Sequence, residues 1–92
     1  MPRKQVLLDL DDLRILRLII LLDPPSYWNI HKKMDMAYKN LLPRYKMLNY
    51  FRFINIHTLR NENNRIIKVC SLTPNGKRIL KIFNKKIKKF RK

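Results

Sequence analysis

Glycine, alanine, cysteine and tryptophan each occur once in this chain of 92 residues, and acidic side chains occur only six times. A single glycine excludes the glycine-rich loops that cradle phosphates in nucleotide-binding enzymes. A single cysteine, Cys70, excludes an internal disulfide, which rules out a stapled secreted mini-protein and fits a reducing cytosol. Long apolar runs are also missing. The most apolar stretch, Leu13–Leu22, contains Arg14 and Arg17 and is about half a membrane span. The opening Met-Pro-Arg-Lys leads into Asp9, Asp11 and Asp12 rather than an apolar segment, so no signal peptide is expected. His31, His57 and Cys70 lack metal-ligand spacing, and a zinc site needs three or four convergent ligands. Asp9, Asp11 and Asp12 are better explained by a helix start than by a cation site. No catalytic residue, metal, cofactor or small-molecule ligand is expected, and the protein is not read as an enzyme.

What the chain has in quantity is positive charge. Twenty-two Lys and Arg against six acids leave a formal charge of +16. Its distribution says more than its size: residues 1–35 carry a net of +1 and residues 36–92 a net of +15. A nearly neutral first third and a very basic remainder suggest a scaffold that presents a polyanion-binding face. Nucleic acid is the first candidate partner and an anionic membrane surface the second. At 46% hydrophobic residues the chain exceeds the composition of a disordered basic tail. A single domain over residues 1–92 is expected, with a core small enough that a partner subunit would help. Leu, Lys, Ile and Asn dominate the composition, which points to an AT-rich coding sequence.

Local patterns give the order of elements. Asp9 can cap a first helix, with Asp11 and Asp12 in the first turn where the helix dipole favours them. Leu8 and Leu13 have the spacing of a hydrophobic staple. That helix should reach about Leu22 and stop at Asp23-Pro24-Pro25. Its apolar residues occupy more than half of its circumference, wider than an ordinary core stripe, so a second apolar neighbour is expected. Ser26 should cap a short helix over Tyr27–Lys33, anchored by Ile30 and by Tyr27 or Trp28. A third helix capped by Asp35 or Asn40 should reach about Tyr50. Pro43 would bend it in the first case and fall harmlessly in the first turn in the second. Leu41, Tyr45 and Leu48 share one face. Phe53–Leu59 and Arg65–Leu72 read as a hairpin with Asn61-Glu62-Asn63-Asn64 at its tip. Thr73 and Pro74 then start a last helix, whose Leu80, Phe83, Ile87 and Phe90 form a seam at coiled-coil spacing.

Three helices followed by a two-stranded hairpin is the order of a winged helix-turn-helix domain, an α+β class that is mostly α. The segment from Tyr38-Lys39 through Leu41, Tyr45, Leu48 and Ile54 resembles the recognition helix and exit of MarR, PadR and ArsR-type regulators. Asn40-Leu41-Leu42-Pro43 is similar to the Thr-Leu-Tyr-Pro of PadR-like proteins. Leu72-Thr73-Pro74-Asn75-Gly76-Lys77 is similar to the Leu-Thr-Pro-x-Gly-Lys/Arg that joins wing to last helix in such proteins. The matches span about residues 26–80. One departure stands out: Arg52 occupies a position where these families usually place glycine. Small size and coding bias resemble the short winged-helix proteins of archaea and their viruses.

The resemblance implies a homodimeric, sequence-specific transcriptional regulator bound to double-stranded DNA in a prokaryotic cytoplasm, on the nucleoid or on viral DNA. A recognition helix over about residues 36–50 would enter the major groove. Tyr38, Lys39, Asn40, Arg44 and Lys46 are its candidate contacts, since Asn pairs with adenine and Arg with guanine in bidentate fashion. Arg60, Asn63, Asn64 and Arg65 at the wing would meet a minor groove or the backbone, with Lys68 and Lys77 on phosphates. Residues 9–22 and 74–92 would hold the dimer through Ile15, Leu18, Ile19, Leu22, Leu80, Phe83, Ile87 and Phe90. No membrane partner is expected. Two alternatives stay open: a nucleoid-type architectural protein with little sequence preference, and a winged-helix protein-interaction module.

Overall fold

The computed structural model describes residues 8–90, with side chains as far as Phe83. The elements are α1 (Leu10–Leu21), α2 (Tyr27–Lys33), α3 (Tyr38–Tyr50), β1 (Ile54–Arg60), β2 (Ile66–Leu72) and α4 (Pro74–Phe90). The strands pair antiparallel, from Ile54 opposite Leu72 to Arg60 opposite Ile66. The result is a small, mostly helical α+β domain. Among the described residues, no helix is long and apolar enough to cross a membrane.

Polar capping explains the first two helix starts. Asp9 and Asp12 form a reciprocal capping box: the Asp12 amide donates to Asp9 Oδ1 at 2.9 Å, and the Asp9 amide donates to Asp12 Oδ2 at 3.2 Å. Ser26 Oγ accepts from the Asn29 amide at 3.1 Å and so caps α2. The third helix departs from both expected starts. It begins at Tyr38 after Ala37, with no side-chain cap. Pro43 is therefore neither two turns in nor within the first turn; as the sixth helical residue it leaves the Lys39 carbonyl without its helical donor.

The core is built from every element. Leu13, Ile15, Leu16 and Ile19 of α1 meet Tyr27 and Ile30 of α2, Leu41, Tyr45 and Leu48 of α3, Ile54 and Cys70 of the hairpin, and Leu80 of α4. Tyr27 and Tyr45 stack with ring centroids 4.1 Å apart, and the Tyr45 hydroxyl donates to the Tyr27 carbonyl at 3.1 Å. That bond gives the phenol a buried acceptor, while desolvation pushes its pKa up. Burial likewise pushes the Cys70 thiol up to about 12, so Cys70 is a small core residue rather than a nucleophile. The base of the hairpin is tied to the α1–α2 connection, where Ser26 bridges Val69 and the Cys70 amide donates to the Pro25 carbonyl at 2.9 Å.

This packing corrects part of the expected dimer seam. Ile15, Ile19 and Leu80 are 0%, 6% and 4% exposed, so they belong to the core of one chain. Leu18, Leu22 and Phe83 are partly buried against that same core. The broad apolar surface of α1 arises because α2, β2 and α4 all pack against it. Ile87 and Phe90 lie outside the described side chains. Among the described side chains of α1 and α4, the large apolar residues left in solvent are Leu10, Ile20, Leu21 and Ile82.

Arg52 adopts the left-handed conformation, with φ of 63°, that a glycine would take without cost. The Arg52 amide donates to the Asn49 carbonyl at 3.0 Å and the Phe53 amide to the Leu48 carbonyl at 2.9 Å. These two bonds close a Schellman motif with arginine at its left-handed position. Replacing Arg52 with glycine relieves the Cβ strain, at roughly 1–2 kcal/mol, against a smaller entropic cost in the unfolded chain. Arg52→Gly is therefore expected to raise stability by about 0.5–1 kcal/mol in urea denaturation. A loss of stability would show that the arginine side chain contributes more than its backbone costs.

Candidate nucleic-acid interface

Two packing decisions set the chemistry of the α3 surface. Leu41, Tyr45 and Leu48 turn inward and are fully buried. The residues between them must then face outward, and Tyr38, Lys39, Asn40 and Lys46 are all exposed. Lys39 and Lys46 share the face opposite the core, Asn40 stands on its flank and Tyr38 at the edge of the buried face, so two cations, an amide and a phenol are open to solvent along α3. Lys68 on β2 and Lys77 on α4 are exposed as well.

Arg44 is not among these available groups, which corrects the base-reading role expected of it. Its Nη1 donates to both carboxylate oxygens of Asp9, at 2.7 and 2.9 Å, and to Asp12 Oδ1 at 2.8 Å. Its Nη2 lies 3.9 Å from Asp11. The guanidinium thus bridges α3 to the first turn of α1. Arg44 holds the exposed Asp9 carboxyl below the usual carboxylate range, whereas burial raises that of Asp12 despite the same guanidinium. On a helical wheel Arg44 sits on the flank between the buried and exposed faces, so α1 is close enough to capture it. Sequence spacing could place it on that flank but not say which neighbour it would meet.

The hairpin tip is organised by its asparagines. Asn61 Oδ1 accepts from the Asn63 and Arg65 amides, each at 3.0 Å, and Asn64 takes a left-handed conformation with φ of 60°. Asn64 Oδ1 also accepts from Arg60 Nη1 at 3.0 Å. Asn64 and Arg60 therefore shape the turn, while the Asn63 and Arg65 side chains extend into solvent from it. The strand pairing brings Lys68 opposite Thr58, closer to the domain body than the tip.

Sequence reasoning treated Trp28 as a possible core anchor, and the structure assigns that role to Tyr27 instead. Trp28 is 58% exposed. Its ring lies 5.1 Å from that of His31 and 6.3 Å from that of Tyr38, while His31 and Tyr38 meet edge to face at 5.4 Å. The i, i+3 spacing of Trp28 and His31 is legible on α2. Their meeting with Tyr38 depends on how α2 packs against α3. Beside this cluster a cleft of about 340 Å³ is lined by Ser26, Tyr27, Trp28, Tyr38, Leu42, Ile67 and Lys68.

The carboxyl end of α3 is locked to α4. Thr73 Oγ1 accepts from the Gly76 amide at 3.1 Å, its hydroxyl donates to the Arg52 carbonyl, and its amide donates to the Phe53 carbonyl at 3.1 Å. Gly76 passes so close to Phe53 that an added Cβ would stand 2.2 Å from the Phe53 carbonyl oxygen. The Thr-Pro-x-Gly segment is thus a clasp between the exit of α3 and the start of α4. No family model matches this chain, and no curated protein is significantly similar to it.

Proposed function

We propose that the chain is a winged-helix transcriptional regulator that binds double-stranded DNA as a homodimer. In this reading α3 enters the major groove and the β1–β2 tip meets the minor groove or the backbone. The observation that carries it is the pattern of ion pairing. Among the described residues, the only cations in ion pairs are Arg14 and Arg44, so no lysine of α3, the hairpin or the described part of α4 is neutralised by a carboxylate. A surface that keeps so many charges unpaired suits a polyanion whose counterions they can displace. The order of elements, the exposed amino-terminal half of α3 and the clasp that fixes its exit support the same reading.

With Arg44 committed to α1, base reading falls to Tyr38, Lys39, Asn40 and Lys46, with Asn40 best suited to an adenine edge. Lys68, Lys77 and Arg65 supply phosphate contacts, which position the protein without reading sequence. Pairing of two chains is assigned to the exposed Ile20, Leu21 and Ile82 rather than to the buried Ile15, Ile19 and Leu80.

The test selects bound duplexes from a random pool and titrates one selected duplex and one scrambled duplex across a salt series. Asn40→Ala should relax the preference by roughly 1–3 kcal/mol, whereas Lys77→Ala should weaken both duplexes alike and reduce the salt slope by about 1. Sedimentation under the same conditions establishes whether the binding unit is the pair. One observation favours the architectural alternative: the loss of Arg44 leaves few groups able to read a base in bidentate fashion. If both duplexes bind equally at every salt concentration, that alternative replaces the regulator.

A further inference from the structure

The aromatic cleft between α2, α3 and β2 is not explained by phosphate attraction. Tryptophan is usually highly buried, and this chain leaves its single one more than half exposed. Beside Trp28 stand Tyr38 and Leu42, one helical turn apart on α3, with Tyr27 and Ile67 completing the apolar walls. No acidic residue lines the cleft, and the single formal charge in it is Lys68, whose Nζ lies 6.0 Å from the centre of the Tyr27 ring. Its volume of about 340 Å³ lies at the small end of ligand sites and suits one nucleotide rather than several.

We infer that this cleft takes one unpaired nucleobase of a nucleic-acid strand, stacked on Trp28 with the tilted Tyr38 ring at its edge, and with the adjoining phosphate on Lys68. The inference rests on the nucleic-acid reading and adds to it. An apolar peptide would cover the aromatic walls but leave Lys68 without a counter-charge; a base with its phosphate matches both. Every base has a π-face, so stacking here tolerates any sequence. A base inside a duplex has both faces covered by its neighbours and cannot enter. The cleft therefore selects positions already unpaired or easily unstacked, such as a bulge, a mismatch or a melted end. Charge on residues 36–92 favours a strand over a free nucleotide as the source.

Because Trp28 is the only tryptophan, tryptophan fluorescence reports the surroundings of this one side chain. Four probes separate the outcomes: a fully paired duplex, the same duplex with one bulged base, a single strand, and a mononucleotide. The bulged duplex and the single strand are expected to quench Trp28, and the paired duplex to bind with much less quenching. By anisotropy of labelled DNA, Trp28→Ala should lose roughly 5- to 150-fold in affinity for the bulged duplex, the range of one aromatic–base stack. Affinity for the paired duplex should be nearly unchanged, and Trp28→Phe should recover part of the loss. Lys68→Gln, which keeps the fluorophore, should shift the quenching curve to higher concentration. Retained paired-duplex binding by Trp28→Ala also shows that the variant is folded. Equal affinity for paired and bulged duplexes, or unchanged fluorescence on saturation, would overturn the cleft while leaving duplex binding intact. Quenching by the mononucleotide at concentrations as low as by the strand would overturn the strand as its source. Binding of no nucleic acid at all would overturn both readings together.

Discussion

Gly76→Ala is expected to lower stability by about 3 kcal/mol, although alanine is the better helix former by roughly 1 kcal/mol. The two effects have opposite signs, which makes the substitution decisive. Gly76 is buried in the first turn of α4, and a Cβ there would stand 2.2 Å from the Phe53 carbonyl oxygen and 3.2 Å from its carbon. Both are backbone atoms, and Phe53 is held by its own amide on Leu48 and by its carbonyl on the Thr73 amide. Neither side can move without opening the clasp. A domain of this length has a total stability of only about 5–14 kcal/mol, so the change removes a large share of it. The melting temperature should fall by about 12–24 °C. The exposed neighbour Asn75→Ala serves as control and should shift it little. A rise in melting temperature for Gly76→Ala would mean that propensity dominates and that the close approach is not rigid.

Removal of the Arg44 guanidinium should act on stability before it acts on DNA. Asp12 is 3% exposed, and among the described residues its charge is met by the Asp9 amide and by Arg44. Breaking a buried pair from one side typically costs about 3–5 kcal/mol. Asp9, more than half exposed, adds little to that figure because water screens it. Arg44→Ala should therefore lose about 3 kcal/mol in denaturant titration at neutral pH, and Asp12→Asn in the same chain should recover part of it.

The pH dependence has a definite sign. Arg44 lowers the Asp9 pKa below 3.8, which stabilises the fold above that pH and is lost as pH falls through the lowered value. Asp12 is raised by burial, so its contribution runs the other way and the fold gains as Asp12 takes up a proton. Without Arg44 the Asp12 carboxyl is raised further. The deficit of Arg44→Ala should accordingly narrow as pH falls and Asp12 takes up its proton. A variant with unchanged stability but altered sequence preference would return Arg44 to the DNA-reading face.

Much of the fold was legible because it is written in local chemistry. Asp9 with Asp12, Ser26, and Thr73 with Pro74 mark helix starts by hydrogen bonds that span three residues. Asp23-Pro24-Pro25 ends α1 for steric reasons, and the asparagines at residues 61–64 mark a turn. The start of α3 was misjudged because Asp35 and Asn40 are both good caps, yet Ala37 is used and neither side chain caps the helix. Part of the expected dimer seam, namely Ile15, Ile19 and Leu80, was misjudged for a related reason. Periodicity shows that Leu80 and Ile15 face something apolar, but it does not distinguish a second chain from the rest of the same one.

By itself, then, the sequence determined the order and type of the elements and the placement of +15 of the charge after residue 35. These follow from interactions between residues a few positions apart, or from simple counting. Only the tertiary structure decided that Arg44 serves α1, that Ile15 and Leu80 lie in the core, that Gly76 must be glycine, and that Trp28, Tyr38 and Lys68 share a cleft. Each of these joins residues distant in the chain, and a contact of that kind depends on how helices and hairpin settle against one another. Spacing along a single element carries no record of it.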